Sequence, residues 1–417
     1  DKPKNLQVRP RDDTTVDKMC ARDITGKRKF GLGFNGPSSE AQDVATHYNQ
    51  LADRHRTLDS GSDILHLRNL HNWIKSVLIG KHIKQGSSVL DLACGKGGDM
   101  LKFKAGGCVH YVGVDIALHS VRDAVQRYNG GKGRPGMTFA ARFIAGDFCD
   151  DSLQSAIPSD LFFNLVSCQF AIHYAFASEE RAMSMLKNVS SRLLPGGFFV
   201  GTMPDANVLV RRLRSAAGLE FGNRHYKVEF ALEWAKKRFP LATAYGVAYR
   251  FTLQEAVDDC QEYLVPLPVL VSLAKRVGLA FDYAANFTDF FAGEFRDHKH
   301  SELLKRMQVL PEDASLSEEE WEVAHTYMVF AFRKLGEPPL PTFKPAARRE
   351  PVNERDIVQL GNTGIGTAPA PTLELAQSQN GQRQQETERA QIMEPPRDAG
   401  ETRAPVVSDL YDKALFS

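Results

Sequence analysis

Hydrophobic and polar positions along the chain predict strands that alternate with helices. Apolar runs of strand length are SSVLDLAC, VHYVGVD, FAARFIAGD and DLFFNLVSCQF, and stretches such as LHSVRDAVQRYN and SEERAMSMLKNVSSRLL have helical periodicity. Residues 64–83, ahead of the first strand, predict a longer helix whose apolar face consists of Leu67, Leu70, Trp73, Ile74, Val77 and Leu78. Short connections between such elements predict an α/β fold, a mostly parallel central sheet with helices on both faces.

The two ends of the chain differ from its middle. Residues 1–40 mix charges with turn formers, show no sustained period and predict a flexible basic arm. Residues 344–410 contain no aromatic residue and are rich in Pro, Gln, Arg, Glu and Ala. Such a segment buries too little apolar surface to offset the entropy lost on ordering. We therefore predict a folded domain over 41–335 and a disordered tail over 336–417.

Composition restricts the partners only weakly. The 417 residues are 42% hydrophobic and 25% charged, with a net charge of +1, so RNA contacts must come from local basic clusters such as Lys27–Lys29 or Arg211, Arg212 and Arg214. The six cysteines form no CxxC pair, which argues against a zinc site and a disulfide framework. The chain lacks an apolar run of about 18 residues. We predict no metal and no membrane contact.

A glycine-rich loop, VLDLACGKGGD at residues 89–99, follows the first predicted strand. It lacks the GxxxxGK[ST] pattern of a Walker loop, and Met100 stands where a dinucleotide fingerprint needs its third glycine. Asp91 at the strand end would repel a pyrophosphate. S-adenosylmethionine carries an ammonium and a sulfonium and no phosphate. Glycines combined with this acid therefore favour S-adenosylmethionine as the ligand.

Acids also end the next two predicted strands. Asp115 lies at about the sequence spacing from the loop at which an acid binds ribose hydroxyls. Asp147 is placed to reach an adenine amino group. A single strand-end aspartate is usually a helix cap or a turn residue, but the set favours a methyltransferase-type site. The fourth strand runs into SCQFAIHYAF, without the DPPY-like element of amino-group methyltransferases. Its His173 and Tyr174 form either a capped helix start or a platform for a base.

A series of motifs in one order resembles the eukaryotic messenger RNA cap (guanine-N7) methyltransferase family over about residues 41–335. These motifs are VATHYNQ, LHNWIKSVLIG, VLDLACGKGGD, VGVDIA, VSCQFAIHYAF, LLPGGFFVGTMPD, LVRRL, FGN, QEYLVP, LLKRMQVL and HTYMVFAF. The resemblance implies a Rossmann-like class I methyltransferase that methylates N7 of the guanosine cap, with S-adenosylmethionine as donor. It also implies 5'-capped RNA as substrate, RNA polymerase II or other capping machinery as partners, and a nuclear location.

The resemblance further implies the residues of each subsite. Donor contacts come from Lys75, Asp91, Ala93, Gly95, Asp99, Asp115, Asp147, Gln169 and Tyr174. Cap contacts come from His71, Asn72, Lys96, His173, Glu262 and Tyr327, with Lys96 near the phosphates. The chain departs from the family pattern at His71, where an asparagine is usual, and at Ala93, where a glycine is usual.

Guanine N7 carries a lone pair and no proton, so its methylation needs no general base. We therefore expect His173, Tyr174 and Glu262 to position the reactants, and such positioning can supply ~7 to 11 kcal/mol. One carboxylate at Glu262 accepts from both the ring NH and the amino group of guanine, which selects against adenine. Plain alternatives are a surface acid at Glu262 and core packing at Tyr327. The fold does not define the acceptor, so a small-molecule or protein methyltransferase, or an inactive donor-binding regulatory subunit, stays open.

Overall fold

The computed structural model describes residues 62–131, 135–239, 244–311, 315–337 and 349–361, together with Thr46. These residues belong to one of two units of the chain, Pro37–Ser417. The other unit, Asp1–Gly36, lies outside the described residues, as do the basic cluster Lys27–Lys29 and most of the predicted tail. Within the described ranges, no helix is both long and apolar enough to cross a bilayer.

Strands and helices alternate through the first half of the described chain, as the hydrophobic pattern predicts. The strands are β1 (Ser88–Leu92), β2 (His110–Asp115), β3 (Ala140–Ala145), β4 (Phe163–Gln169), β5 (Leu193–Pro204), β6 (Glu220–Gly222), β7 (Tyr226–Phe230), β8 (Ala248–Leu253), β9 (Val257–Tyr263), β10 (Leu279–Asn286), β11 (Tyr327–Lys334) and β12 (Val358–Gln359). The α-helices are α1 (Leu65–His82), α2 (Met100–Ala105), α3 (Leu118–Asn129), α4 (Leu153–Ala156), α5 (Glu179–Arg192), α6 (Ala206–Ser215), α7 (Leu267–Arg276), α8 (Phe287–Glu294), α9 (His298–Arg306) and α10 (Glu318–Ala324).

The larger sheet has eight strands in the order β10-β11-β5-β4-β1-β2-β3-β12. β11 is antiparallel to both of its neighbours, and the other neighbouring pairs are parallel, so the predicted mostly parallel sheet is confirmed. The chain proceeds from β1 towards β2 and β3 on one side, and β4 and β5 lie on the other. Ligands of such sheets bind where the strand order reverses, at the carboxyl ends of the strands.

Hydrophobic cores cover both faces of this sheet. Val89 on β1 packs into a core with residues of α1 and α3, whereas Leu90 and Leu92 pack into a core with residues of α5 and α7. Successive side chains of a strand point to opposite faces, so this division places helices on both sides. The predicted apolar face of α1 is fully buried, with Trp73 at 0% exposure. Arg68, Asn72 and Lys75 form a second, polar face of α1, on which Arg68 is exposed and Asn72 and Lys75 are partly buried.

A second, antiparallel sheet with the strand order β6-β7-β8-β9 was not predicted from the sequence. Its signal is visible in YKVEF, where buried and exposed residues alternate along β7. That alternation is typical of a strand with one face on the core. This sheet brings Tyr249 on β8 opposite Glu262 on β9.

Residues 349–361 fall inside the segment expected to be disordered, and for them that expectation does not hold. They form a short 3-10 helix at Glu354–Asp356 and strand β12, which pairs in parallel with β3. The sequence lacks aromatic residues here, but backbone pairing with a preformed sheet edge needs none. Burial of Ile357, which is 7% exposed, adds apolar contact.

Candidate active site

The carboxyl ends of the central strands bring together the polar residues predicted there. Four polar side chains lie at these ends, each less than a tenth exposed: Asp91 on β1, Asp115 on β2, Gln169 on β4, and Asp147 two residues after β3. Asp115 joins its strand to the glycine loop, because its Oδ2 accepts a hydrogen bond from the Gly95 amide at 2.8 Å. These contacts support the prediction that the strand ends form one site.

The glycine loop adopts left-handed backbone at three positions. Ala93, Gly95 and Gly97 have φ values of 57°, 51° and 69°. The loop is held by the Cys94 amide, which donates to Val114 O at 2.9 Å, and by the Gly97 amide, which donates to Cys94 O at 2.9 Å. A glycine adopts this backbone without strain, whereas the Cβ of Ala93 is crowded there. The departure at Ala93 therefore leaves the loop conformation intact at a cost in strain.

Asp99 at the end of the loop lies between two lysines. Its carboxylate oxygens are 2.9 Å from Lys75 Nζ and 2.7 Å from Lys102 Nζ. Burial raises the pKa of Asp99, but the two lysines outweigh burial and hold the pKa at about 2. Lys102 also donates to Asn72 Oδ1 at 3.3 Å, so the polar face of α1 is connected to the loop. Asp99 is therefore an anion that orients two cations towards the site.

Asp91 differs from the ionised acid that the sequence argument assumed. Its side chain accepts a hydrogen bond from the Tyr111 hydroxyl at 3.0 Å and is 2% exposed. Burial, followed by the nearby charge of Asp99, raises the pKa of Asp91 to about 8. Asp91 is consequently neutral at pH 7 until a cation binds beside it. A cationic ligand favours the carboxylate form and displaces the proton.

Asp115 and Asp147 are turn residues as well as candidate ligands. Asp115 Oδ1 accepts from the Ala117 amide and Asp147 Oδ1 from the Cys149 amide, both at 2.9 Å. Asp147 Oδ2 also accepts from Arg181 at 2.8 Å. A carboxylate oxygen has two lone pairs, so each can accept a further hydrogen bond from a ligand. The structural and ligand-binding interpretations of these acids are therefore compatible.

Gln169 and Phe170 end β4 in an unusual conformation. Phe170 has a φ of 56°, and its amide donates to Thr202 O at 3.0 Å and Thr202 Oγ1 at 2.9 Å. Such backbone in a residue other than glycine is strained and is typical of functional sites. Gln169 Nε2 donates to Ser167 Oγ at 3.1 Å, while its buried Oε1 has no hydrogen-bond partner among the described residues. That oxygen can accept from a ligand.

His173, Tyr174 and Glu262 form a second group beside these strand ends. His173 and Tyr174 lie on the 3-10 helix Ile172–Ala177, and their ring centroids are 4.2 Å apart. His173 Nε2 is 3.5 Å from Glu262 Oε1, beyond normal hydrogen-bond length, and neither nitrogen of His173 has a hydrogen-bond partner in the described part of the chain. Glu262 Oε2 accepts from the Tyr249 hydroxyl at 2.7 Å. Glu262 is only 5% exposed, so it is not a surface acid.

His71 and Tyr327 meet in an aromatic cluster with Phe170 and Phe287. The His71 ring lies 5.3 Å from Phe170, 5.5 Å from Phe287 and 5.3 Å from Tyr327, between centroids. Burial, and then Lys75, lowers the pKa of His71 to about 3, so the ring is neutral. His71 Nε2 has no hydrogen-bond partner within the described ranges. Tyr327 is 6% exposed, so its ring contributes to packing here as well as lining the cluster.

The predicted phosphate contacts are less closely grouped. Lys96 Nζ is 3.2 Å from Asp123 on α3, and this side chain remains 37% exposed. Arg212 pairs with Glu322, and Arg214 Nε donates to Lys237 O at 3.1 Å, so both support local structure. Arg211 is exposed.

Sequence reasoning missed several residues of the site. The Tyr249 and Tyr111 hydroxyls donate to Glu262 and Asp91 respectively. Lys102 forms an ion pair with Asp99. The period-two alternation of AYRFTL on β8 was a usable signal for Tyr249. Among the described residues, no group of three or more His, Cys, Asp or Glu side chains is arranged to hold a metal ion.

Comparison with known proteins identifies the family. The family model for the mRNA (guanine-N(7))-methyltransferase domain matches residues 35–335. A relative named mRNA cap guanine-N(7) methyltransferase 1 from Oryza sativa subsp. japonica is 40% identical over 349 residues, covering 80% of this chain and 93% of the relative. A protein of the same name from Arabidopsis thaliana is 41% identical over 305 residues, covering 71% of this chain and 82% of the relative.

A solved structure with a similar fold is more distant in sequence. An S-adenosylmethionine-dependent methyltransferase from Clostridium acetobutylicum is 12% identical, with a TM-score of 0.39, and the match covers 71% of this chain and 99% of that one. The family model covers more than half of the chain, and each relative above exceeds 30% identity over more than two thirds of it. The chain therefore belongs to the mRNA (guanine-N(7))-methyltransferase family.

Proposed function

We propose that this chain transfers the methyl group of S-adenosylmethionine to N7 of the guanosine cap of 5'-capped RNA, and that its site has a donor half and a cap half. The observation that carries the proposal is a buried carboxylate, Glu262, beside His173 on the 3-10 helix that follows β4, next to the strand ends that carry Asp91, Asp115 and Asp147. A donor-binding site alone would not need this group. The two alternative functions have no observation of their own in their favour.

The donor half consists of the strand-end residues and the loop. Asp115 and Asp147 retain lone pairs for ribose hydroxyls and an adenine amino group, and Gln169 Oε1 is an acceptor without a hydrogen-bond partner among the residues that the structure describes. Lys75, held by Asp99, supplies a cation suited to the carboxylate of the donor. Asp91, Ala93, Gly95 and Tyr174 complete the proposed donor residues. When bound, the donor supplies an electrophilic methyl group, and these side chains orient it.

The cap half recognises guanine by complementarity. Guanine presents a ring NH and an amino group side by side, and a carboxylate at Glu262 can accept from both, because each of its oxygens has two lone pairs and the Tyr249 hydroxyl uses one of them on Oε2. Adenine offers no such pair of donors, so it would leave the buried carboxylate unsatisfied. His71, Asn72, Lys96, His173 and Tyr327 are the other proposed cap residues.

The site needs no general base because N7 has no proton to lose. Alignment of N7 with the methyl group is the main task, and such positioning can lower the barrier by ~7 to 11 kcal/mol. As positive charge moves onto the purine, Glu262 stabilises it, since a preformed carboxylate in a buried site costs no reorganisation. Tyr249 holds Glu262 in place through its hydroxyl.

A cap-dinucleotide assay tests the proposal. The full chain is incubated with S-adenosylmethionine and GpppG, and mass spectrometry and chemical mapping identify the methylated atom. Glu262→Gln replaces a carboxylate oxygen with an amide donor that faces guanine donors, and we expect kcat/KM to fall roughly 100-fold or more. Glu229→Gln, which changes an exposed carboxylate on β7 of the same sheet, is the matched control.

Binding measurements separate the two halves of the site. Glu262→Gln should leave the affinity for S-adenosylhomocysteine unchanged, whereas Asp115→Ala should reduce it. Full activity of the Glu262→Gln variant, or methylation at an atom other than N7, would contradict the proposed cap half. Unchanged donor affinity in Asp115→Ala would contradict the proposed donor half.

The cellular setting follows from the substrate. Caps are added to transcripts as they are made, so we propose a nuclear location with RNA polymerase II or other capping machinery as partner. We further propose residues 41–335 as the methyltransferase domain. Fractionation of cells that express a tagged chain, followed by co-purification with the polymerase, tests the location and the partner. An exclusively extranuclear protein would contradict the first part.

A further inference from the structure

Residues 349–361, which we call the C-terminal strap, bind the domain at two places. The first is the end of α3. Asn129 exchanges two hydrogen bonds with the backbone of Val352, at 2.7 and 3.0 Å. The Tyr128 hydroxyl donates to Glu350 O at 3.1 Å, and the Arg349 guanidinium lies 5.5 Å from the centroid of the Tyr128 ring. Both side chains and backbone of the strap therefore contribute to this anchor.

The second anchor lies where β3 ends. Val358 and Gln359 pair in parallel with Ile144 and Ala145, the last residues of β3. The Leu360 amide then donates to Ala145 O at 2.9 Å. A Cβ placed on the next residue, Gly146, would lie 2.6 Å from Leu360 Cβ and Cγ, so the Leu360 side chain packs directly on this glycine.

This second anchor holds the backbone that immediately precedes Asp147. The Gly146 amide donates to Asp115 O at 2.9 Å, so the Ala145–Gly146 backbone is held by β2 on one side and by Leu360 on the other. The Asp147 carboxylate follows immediately and accepts from the Cys149 amide at 2.9 Å. The separation between the two acids, Asp115 and Asp147, is thus set partly by the strap.

Edge protection is the simpler explanation for an added strand, but it fits poorly. A cover for an exposed edge would pair along the whole of β3, from Ala140 to Ala145. β12 instead pairs only with Ile144 and Ala145, and the contact of Leu360 continues beyond the strand onto the loop residue Gly146. The strap is therefore concentrated at the end of β3 that leads into the candidate site.

We propose that the C-terminal strap belongs to the donor site, with Leu360 as a positioning residue that sets the affinity for the adenosine half of the donor. The strap lies beyond residues 35–335, which the family model matches. This inference rests on the proposed function, which assigns Asp147 to the adenine amino group. The inference predicts that donor affinity depends on the Leu360 side chain, which packs on Gly146, the residue before Asp147.

Calorimetric titration of the full chain with S-adenosylhomocysteine tests the inference. Leu360→Ala removes the contact with Gly146 and keeps the backbone pairing, and we expect roughly three- to ten-fold weaker binding. Leu335→Ala is the matched control, because it makes the same change at an exposed side chain after β11. 5'-Methylthioadenosine, which lacks the amino acid half, should lose affinity by the same factor. Equal affinities in folded Leu360→Ala and Leu335→Ala would overturn the inference.

Two further variants keep the test decisive. Asn129→Ala loosens the first anchor and serves as the test if Leu360→Ala fails to fold. The Asn129→Ala variant should weaken donor binding and speed amide exchange at residues 146–149. Unchanged affinity and exchange in Asn129→Ala would then overturn the inference. Asp147→Ala distinguishes a failure of the adenine assignment from a failure of the strap inference. If this variant binds normally, the adenine assignment fails; if only the strap variants bind normally, the strap inference alone fails.

Discussion

Protonation of Asp91 should make donor binding pH-dependent. Burial, and then the charge of Asp99, raises the pKa of Asp91 to about 8, so its carboxyl is neutral at pH 7 in the free protein. A donor with an ammonium and a sulfonium favours the carboxylate and therefore lowers this pKa. Binding must then release the proton, and the affinity should rise with pH until it levels off above about pH 8.

The size of the effect follows from the pKa. If donor binding returns the pKa of Asp91 to the ordinary value of about 4, deprotonation of Asp91 at pH 7 costs about one pKa unit. That cost is roughly 1.4 kcal/mol, or tenfold in affinity. At pH 6 the cost is about two units, or roughly 2.7 kcal/mol and 100-fold. The dissociation constant should consequently weaken about tenfold between pH 7 and pH 6 and change little above pH 9.

Calorimetry in two buffers of different ionisation enthalpy measures the released proton directly. We expect close to one proton per S-adenosylmethionine at pH 7. Asp91→Asn keeps the neutral form and should abolish the Asp91 share of this release and flatten the pH profile. Asp282→Asn, at an exposed position on β10, controls for titration of the donor amine and of surface groups. An identical proton release in the wild type and Asp91→Asn would refute the reasoning.

Two further predictions concern neighbouring residues. Tyr249→Phe removes the hydrogen bond to Glu262 Oε2, so kcat/KM for GpppG should fall about tenfold, because a hydrogen bond to a buried charge is worth roughly 1.5 kcal/mol. Donor affinity measured by calorimetry should not change. A fall in donor affinity would count against the division of the site into two halves. Ala93→Gly relieves the left-handed strain at a φ of 57°, so thermal unfolding should show stabilisation of up to about 1 kcal/mol; a clear loss of stability would show that the methyl group contributes packing.

The arrangement of the residues proposed for the donor half was largely predictable because it follows from local sequence. Asp91, Asp115 and Asp147 each lie within two residues of the end of an apolar strand, and parallel strands bring their carboxyl ends to one edge regardless of the details of packing. The ionisation of Asp91 was not predictable. It depends on complete burial and on Asp99, and both are properties of the folded chain.

Apart from His173 and Tyr174, which follow the fourth strand, the residues proposed for the cap half were accessible to sequence reasoning only through family resemblance. Glu262 reaches His173 because β8 and β9 form an antiparallel pair that places Tyr249 opposite it. β8 and β9 follow one another in the chain, but no local pattern shows that this hairpin lies beside His173, which comes much earlier in the sequence. The strap was missed for a related reason. Composition describes what a segment can bury by itself, but β12 gains its partners from the edge of β3.

Helix α1 connects the two halves, and this connection suits a reaction that depends on alignment. His71 lies in the aromatic cluster of the cap half, and Lys75, one turn later, pairs with Asp99 of the donor loop at 2.9 Å. Four residues of helix rise about 6 Å and leave little freedom between them. Trp73 and its apolar neighbours bury the opposite face of α1 in the core, so the helix cannot rotate to separate these contacts. A site without a general base requires such a rigid link, because its rate depends on the distance and angle between two bound reactants.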